Sequence, residues 1–188
     1  MPRLFIALPA GEDVIEFFRP QYEFLQKFKS SIKAVPAENF HITVKFLGDC
    51  EDRLAEDILA AFKGLGLGFH PIPVRFRGIG TFPHIKKASV IWSGLEIEGE
   101  MVDAIVRRMD DFSSAFGFER EKRKFIPHLT LARVRRDKSL PPMLVDYIKE
   151  NSRKEFIGSA FDRISLFESR LDSSGAAYEE LHAILFGN

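Results

Sequence analysis

Two segments of the chain each place a histidine and a threonine two positions apart, in a pattern typical of a β-strand. The first alternates between polar and apolar side chains: His41, Thr43 and Lys45 against Ile42, Val44 and Phe46. Side chains of an extended strand point alternately to its two faces. The pattern therefore predicts a polar face that carries an imidazole, a hydroxyl and an ammonium, and an apolar face against a core.

The second copy of this pattern lies in the segment 127–133. Here His128 and Thr130 share one face of the predicted strand, with Leu129 and Leu131 on the other. A single His-x-Thr would be explained better by a structural histidine than by catalysis. Two copies in matching contexts, in a chain with five histidines, reverse that preference.

Two histidines that face each other across a cleft can divide acid and base catalysis. An imidazole titrates near neutrality, so one ring can deprotonate a nucleophile while the other protonates a leaving oxygen. The hydroxyls of Thr43 and Thr130 would hydrogen-bond the non-bridging oxygens of a phosphate between them. In-line displacement needs the nucleophile and the leaving group on opposite sides of phosphorus. Phosphodiester chemistry without a metal or other cofactor is the expected match.

Other kinds of site fit the sequence less well. The five histidines show neither the close spacing nor the nearby carboxylates of a metal site, and we expect no metal. Nothing marks the single cysteine, Cys50, as an activated nucleophile. His70, His84 and His182 are expected to have structural roles. An RNA-binding module without catalysis remains an alternative, but it leaves the repeated histidines unexplained.

Charge is balanced overall, with 27 acidic and 27 basic residues, but it is uneven along the chain. The segment 120–138 carries eight basic side chains: Arg120, Lys122, Arg123, Lys124, Arg133, Arg135, Arg136 and Lys138. Such a run is often only a solvated surface. Around a candidate site, however, it would attract a polyanion.

Length and composition favour one folded domain, residues 1–188, made of two lobes. Hydrophobic residues make up 45% of the chain and 19 of them are phenylalanine, which excludes extensive disorder. One cysteine allows no disulfide within the chain and fits a reducing compartment. The sequence has no membrane-span or signal-peptide pattern. We therefore expect a cytoplasmic monomer that does not bind membranes.

The periodicity of the chain predicts an α+β fold. Helices are expected over 11–32 (with Pro20 causing a kink or a late start), 51–63, 98–116 and 139–151, the last capped by Ser139. Strands are expected over 3–8, within 39–48, and over 72–80, 88–95, 125–134, 160–170 and 177–186. In each half a helix leads into a His-x-Thr strand. This order suggests two antiparallel sheets, backed by helices, that face each other across a cleft.

The two motif segments, Asn39–Gly48 and Pro127–Arg133, resemble those of the RNA 2′,3′-cyclic phosphodiesterases, also known as 2′-5′ RNA ligases, of the two-histidine phosphoesterase superfamily. Further similarity comes from the segments 3–7, 80–83 and 90–92. The resemblance spans nearly the whole chain. It implies a bilobal fold with pseudo-twofold symmetry, and an RNA with a 2′,3′-cyclic phosphate end, or a small cyclic nucleotide, as substrate.

The resemblance also implies roles for the motif residues. His41 would be the proton donor to the leaving 3′ oxygen and His128 the proton acceptor that activates water, which leaves a 2′-phosphate. Thr43 and Thr130 would orient the phosphate. Ligation to a 2′-5′ bond, as the reverse reaction, is the alternative activity.

Three further residues are candidates for substrate binding, each with a structural alternative. Arg133 suits a phosphate, but strict alternation places it on the face opposite His128. A bulge, or its position at the end of the strand, would let it reach the phosphate; otherwise it is a surface residue. Phe5 would stack on a base or pack in the core. Lys45 shares the predicted face of His41 and would contact the RNA backbone or remain a surface residue.

Overall fold

The computed structural model describes residues 1–97, 100–171 and 176–187. Within them the chain forms four helices and nine strands, which confirms the α+β prediction. In chain order these are β1 (Arg3–Pro9), α1 (Glu12–Gln26), β2 (Ile32–Ala34), β3 (His41–Asp49), α2 (Asp52–Lys63), β4 (Ile72–Phe82), β5 (Val90–Ile97), α3 (Met101–Ser114), β6 (His128–Val134), α4 (Pro142–Glu150), β7 (Glu155–Phe161), β8 (Arg163–Leu171) and β9 (Ala176–Leu185).

The strands form two antiparallel sheets, as predicted. The four-stranded sheet has the order β3-β1-β8-β9, and the five-stranded sheet has the order β2-β6-β5-β4-β7. The two motif strands, β3 and β6, lie in different sheets and contact each other. Each lobe therefore contributes one His-x-Thr strand to the region where the lobes meet.

Two helices pack against each sheet. Helices α1 and α4 pack against strands of the five-stranded sheet, and α2 and α3 pack against β9 and β3 of the four-stranded sheet. Phenylalanine dominates the contacts beneath them: the Phe18 ring lies within 6.2 Å of the rings of Phe40, Phe76 and Phe156. Edge-to-face ring pairs of this kind add to the free energy that burial supplies.

Several predicted boundaries were wrong at the ends of elements. Helix α1 ends at Gln26, because the residues after it form turns in which backbone N–H groups donate to carbonyl oxygens three residues earlier. Ile32 then begins the unpredicted strand β2, which pairs with Val134 of β6. The helix begins at Glu12, so the exposed Pro20 lies inside it without delaying its start.

The C-terminal half differs in a similar way. Helix α4 begins at Pro142, and its N-cap is Pro141 rather than Ser139. Two strands cover the predicted strand 160–170, since β7 ends at Phe161 and β8 begins at Arg163. Of the predicted helix 98–116, residues 98 and 99 lie outside the described residues.

Both motif strands contain a one-residue bulge directly after the threonine. In β3, Lys45 pairs with Ile6 and Thr43 with Ala7, so Val44 has no partner of its own on β1. In β6, Ala132 pairs with Ile91 and Thr130 with Trp92, which leaves Leu131 as the extra residue. An extra residue reverses which face the following side chains point to, until the next register shift, which in β3 lies at Leu47. The strict alternation expected from the sequence therefore fails after each threonine.

Candidate active site

The two motif histidines have the same hydrogen bond at their Nδ1 atoms. His41 Nδ1 lies 2.7 Å from the backbone oxygen of Asn39, and His128 Nδ1 lies 2.8 Å from that of Ile126. A backbone carbonyl only accepts hydrogen bonds, so in each ring Nδ1 donates its proton. This fixes the tautomer and leaves Nε2 of each neutral ring as an acceptor. His41 Nε2 lies 3.1 Å from the hydroxyl of Thr43.

Two neighbouring cavities contain these histidines. The His41 pocket, of about 360 Å³, is lined by residues that include Arg3, Phe5, His41, Phe46, Arg133 and Tyr178. The His128 groove, of about 660 Å³, is lined by residues that include Thr43, Phe46, His128, Thr130, Arg133 and the segment 119–126. Phe46 and Arg133 line both cavities. The structure therefore brings the predicted His and Thr pairs from the two lobes to one continuous cleft.

The bulges explain why Phe46 and Arg133 reach this cleft. Each lies five residues after the histidine of its own strand, on the far side of the bulge, and both are exposed. The sequence left open whether Arg133 reaches the site or lies elsewhere on the surface, and in the structure it lines the cleft. Phe46 was assigned to the core and that prediction was wrong: its side chain is 62% exposed. Phe46 was therefore not among the candidate binding residues predicted from the sequence.

The bulge also explains the position of Lys45, which is only 8% exposed. Its Nζ donates to Asp110 Oδ1 at 2.5 Å and to the backbone oxygen of Glu119 at 2.7 Å. Asp110 lies on α3, and its Oδ1 also accepts from the backbone N–H of Glu121 at 3.4 Å. Contact of Lys45 with an RNA backbone gains no support from this geometry. The ammonium instead ties β3 to the start of the basic segment.

Phe5 lies beneath His41 rather than in the open cleft. It is 2% exposed, and its ring centroid is 5.0 Å from that of His41 and 5.1 Å from that of Phe167. Tyr178 packs edge-on against both Phe5 and His41. The alternative in which Phe5 stacks on a base is not supported, because its ring has almost no accessible face. It forms the apolar floor that holds the His41 ring.

An aromatic pair holds His128 from the other lobe. The Phe82 ring lies edge-on to His128 at 5.0 Å and packs at the same distance against Trp92. A side chain at Gly80 would collide with the Trp92 ring. This close approach gives a physical reason for the glycine in the segment 80–83, whose similarity to the family was noted from sequence.

The surroundings of His41 disfavour its protonation in the free protein. The pKa of His41 is lowered from 6.5 to about 4, mainly by burial and also by the charges of Arg133 and His128, against the opposing effect of the hydrogen bond to the Asn39 carbonyl. His41 is therefore neutral at pH 7 before any substrate binds. Cys50 is buried, and burial raises the pKa of its thiol, which is the opposite of what a nucleophile needs.

Residues 1–97, 100–171 and 176–187 contain no group of three or more His, Cys, Asp or Glu side chains arranged to hold a metal ion. None of the described helices is both long enough and apolar enough to cross a membrane.

Comparisons with known proteins agree with this architecture. Residues 16–92 and 96–178 match the family model for LigT like Phosphoesterase. An RNA 2′,3′-cyclic phosphodiesterase of Methanocaldococcus jannaschii is 35% identical over 94% of this chain and 96% of its own length. One of Archaeoglobus fulgidus is 32% identical over 95% and 97%, respectively.

Solved structures show the same fold. A protein of Thermus thermophilus superposes with a TM-score of 0.78 at 24% identity, covering 98% of this chain and 97% of that one. Escherichia coli LigT in complex with 3′-AMP superposes with a TM-score of 0.73 at 18% identity, covering both chains fully.

The low pKa of His41 predicts a pH dependence of stability. Its pKa in the folded protein, about 4, lies below its ordinary value of 6.5, so the unfolded chain binds the proton first as pH falls. The contribution to stability is complete above pH 6.5 and is lost as pH falls towards 4. The free energy of unfolding of the wild type should decrease when the pH falls from 7 to 5. In His41→Asn this decrease should be smaller by about 1 to 2 kcal/mol.

Urea unfolding at the two pH values measures this difference. His70→Asn, at an exposed loop position, is the matched control and should keep the wild-type pH dependence. An equal loss of stability in the wild type and in His41→Asn would contradict the effect assigned to burial.

The buried ion pair makes a second prediction. Lys45→Met leaves the carboxylate of Asp110 buried without its cation, which should lower the free energy of unfolding by about 3 to 5 kcal/mol. Arg77→Met is the control, because the Arg77–Glu96 pair has side chains that are 43% and 53% exposed and should contribute at most about 1 kcal/mol. Urea unfolding at pH 7 compares the two. Similar small losses would show that the Lys45–Asp110 contact does not hold the fold together.

Proposed function

The chain belongs to the LigT-like phosphoesterase family, and from this we propose that it hydrolyses the 2′,3′-cyclic phosphate at an RNA end by acid–base catalysis, without a metal ion. The observation that carries the proposal is the common cleft, which His41 and His128 line from different lobes. In both rings a hydrogen bond from Nδ1 to a backbone oxygen fixes the same tautomer. The names of the relatives support the reaction. Geometry and chemistry support the residues assigned to it.

The reaction needs one proton removed and one proton supplied. Nε2 of His128 accepts a proton from water, the resulting hydroxide attacks phosphorus, and the bond between phosphorus and the 3′ oxygen breaks. His41 donates its Nε2 proton to that departing oxygen, so the product carries a 2′-phosphate and a 3′-hydroxyl. The two rings exchange protonation states in this step and return to their starting states through solvent.

Three side chains are proposed to hold the phosphate during the step. Thr43 and Thr130 donate hydroxyl hydrogen bonds to its non-bridging oxygens, one from each lobe. Arg133 lines both cavities, and its guanidinium stabilises the negative charge that builds on the phosphorane.

The low pKa of His41 constrains this assignment. A proton donor must be charged before the step, yet His41 is neutral at pH 7 in the free protein. A bound phosphate supplies the missing stabilisation in two ways: its negative charge favours the imidazolium, and it pairs with Arg133, whose charge lowers the pKa of His41. Substrate binding therefore protonates the residue that the reaction needs as an acid.

Phe46 is proposed to hold the terminal base. It is exposed where the His41 pocket and the His128 groove join, and its ring lies 6.0 Å from that of Phe5. A base stacks on an aromatic face whatever its sequence. The 62% exposure of Phe46 leaves much of its ring available to such a partner.

Ligation is the second candidate activity. If the 5′-hydroxyl of a second RNA takes the place of water, the same proton transfers open the 3′ bond and form a 2′-5′ linkage. The His128 groove lies on the nucleophile side, is much larger than a water molecule requires, and is bordered by Lys122, Arg123 and Lys124. These features favour access by a second polyanion, so the two activities differ only in the nucleophile.

The catalytic proposal is tested with an RNA oligonucleotide that ends in a 2′,3′-cyclic phosphate, in excess chelator. We expect full turnover and a 2′-phosphate product, identified by its resistance to enzymes that remove only 3′-phosphates. His41→Ala and His128→Ala should each lower kcat about a hundredfold or more, whereas His70→Ala should not. Loss of turnover on chelation, or near-normal rates in either cleft variant, would refute the mechanism.

The stacking proposal has its own readout. Phe46→Ala should raise KM for a cyclic nucleotide by roughly five- to thirtyfold, as the loss of about 1 to 2 kcal/mol of stacking implies, with a smaller effect on kcat. Phe46→Tyr retains an aromatic face and should restore KM. If Phe46→Tyr behaves like Phe46→Ala, the ring does not serve as a stacking surface.

A further inference from the structure

A third cavity adjoins the His41 pocket, and neither the motifs nor the comparisons give it a role. It has a volume of about 560 Å³ and lies where the end of α1, strand β2, the residue after β6 and the start of β9 meet. We call it the β2 pocket. The residues of its lining used below are Tyr22, Lys29, Lys33, Asn39, Arg135 and Tyr178.

The β2 pocket is connected to the catalytic site through two residues. Tyr178 lines both the β2 pocket and the His41 pocket, and its ring packs edge-on to His41 at 5.2 Å. Asn39 also lines the β2 pocket, and its backbone oxygen accepts the hydrogen bond of His41 Nδ1. A molecule that extends past Tyr178 would therefore pass from one cavity into the other.

The charge of the β2 pocket is positive. Lys29, Lys33 and Arg135 line it against the single carboxylate of Glu38. Among the described residues, no ion pair within 4.0 Å involves any of these three cations. Three unneutralised cations beside a phosphate site attract further phosphate.

The backbone fixes these cations in relation to the catalytic cleft. Lys33 of β2 pairs in register with Arg133 of β6, so both side chains lie on the same face of the sheet. Arg135 Nε donates to the backbone oxygen of Lys29 at 2.8 Å, which holds its guanidinium beside the pocket. Positive charge thus continues from Arg133 in the cleft to the β2 pocket.

The direction of the chemistry indicates which part of an RNA would lie here. In-line displacement places the departing 3′ oxygen, and hence the terminal ribose, on the His41 side of phosphorus. The rest of the RNA chain continues from the 5′ oxygen of that ribose. The β2 pocket is on this side, whereas the segment 119–126 borders the opposite, nucleophile side.

We propose that the β2 pocket binds the nucleotide that precedes the cyclic-phosphate end of an RNA chain. Lys33 and Arg135 contact its phosphodiester, and its base lies against Tyr178 or Tyr22, since both rings border the pocket. This inference rests on the proposed hydrolytic function. It adds that the enzyme selects RNA chains over cyclic mononucleotides, and it locates the residues that make the selection.

The test compares kcat/KM for a 2′,3′-cyclic mononucleotide with that for a dinucleotide ending in the same cyclic phosphate. The wild type should prefer the dinucleotide by about tenfold or more, mainly through KM, as one additional stacked and phosphate-bound nucleotide implies. In Lys33→Gln/Arg135→Gln this ratio should fall towards one, and the salt dependence of the dinucleotide KM should weaken.

The matched control is Arg123→Gln/Lys124→Gln, which removes the same number of charges from the nucleophile side of the cleft. It should keep the wild-type dinucleotide preference, because Arg123 and Lys124 line the His128 groove and not the β2 pocket. A preference lost in the control but kept in Lys33→Gln/Arg135→Gln would place the RNA chain over the His128 groove and overturn the inference.

Two further outcomes separate this inference from the function on which it rests. Equal kcat/KM values of the wild type for both substrates would overturn the inference and leave the hydrolytic function intact. Failure of the wild type to hydrolyse either substrate would overturn the proposed function itself. Circular dichroism and thermal unfolding of each variant confirm that a change in ratio does not come from misfolding.

Discussion

The site depends on one structural constraint: a single extra residue after the threonine in each motif strand. Val44 in β3 and Leu131 in β6 are those residues. Without them, the side chains five positions after His41 and His128 would point into the core. With them, Phe46 and Arg133 join the His-x-Thr pairs on the cleft face. Bulges are common beside active sites because they redirect one side chain without breaking the sheet.

The same bulges turn the residue directly before Phe46 or Arg133 towards the interior, and this residue differs between the two lobes. In β6 it is Ala132, which packs in the core, and in β3 it is Lys45, whose ammonium is satisfied by Asp110 and the Glu119 carbonyl. The buried cation thereby links the sheet that carries His41 to the chain segment leading to His128. An approximate twofold symmetry relates the histidines and threonines of the two strands. The symmetry does not extend to the next cleft position, which is the aromatic Phe46 in one lobe and the guanidinium of Arg133 in the other.

Much of this arrangement follows from the sequence. The repeated His-x-Thr pattern predicts two half-buried strands on opposite sides of a cleft, because parity is reliable over three residues. The alternation of side chains between the two faces of a strand is not reliable over six residues, so Lys45 and Phe46 were assigned to the wrong faces. A register shift arises from pairing with a neighbouring strand, here β1, and leaves no mark on the periodicity of β3 itself. Comparison of the two motif copies position by position would have drawn attention to the fifth residue after each histidine.

The β2 strand escaped prediction for a different reason. Three residues are too few to show a period, and Ile32 also continues the helical spacing of α1. Only pairing with Val134 distinguishes the two possibilities. Since β2 carries Lys33, the cavity beside it was invisible from sequence, and the basic run 120–138 was treated as one feature. In the structure this run is split, since its first part, residues 120–124, lines the His128 groove and Arg135 lines the β2 pocket.

The proposed mechanism requires two imidazoles from different lobes to act on opposite sides of one phosphorus atom. The most direct measurement is a crystal structure with a nucleoside vanadate, which mimics the five-coordinate phosphorus of an in-line displacement. If the proposed mechanism holds, His41 Nε2 and His128 Nε2 each lie within about 3 Å of a different apical oxygen, with the ribose on the His41 side. A vanadate bound by only one of these rings, or by both rings at the same apical oxygen, would contradict it.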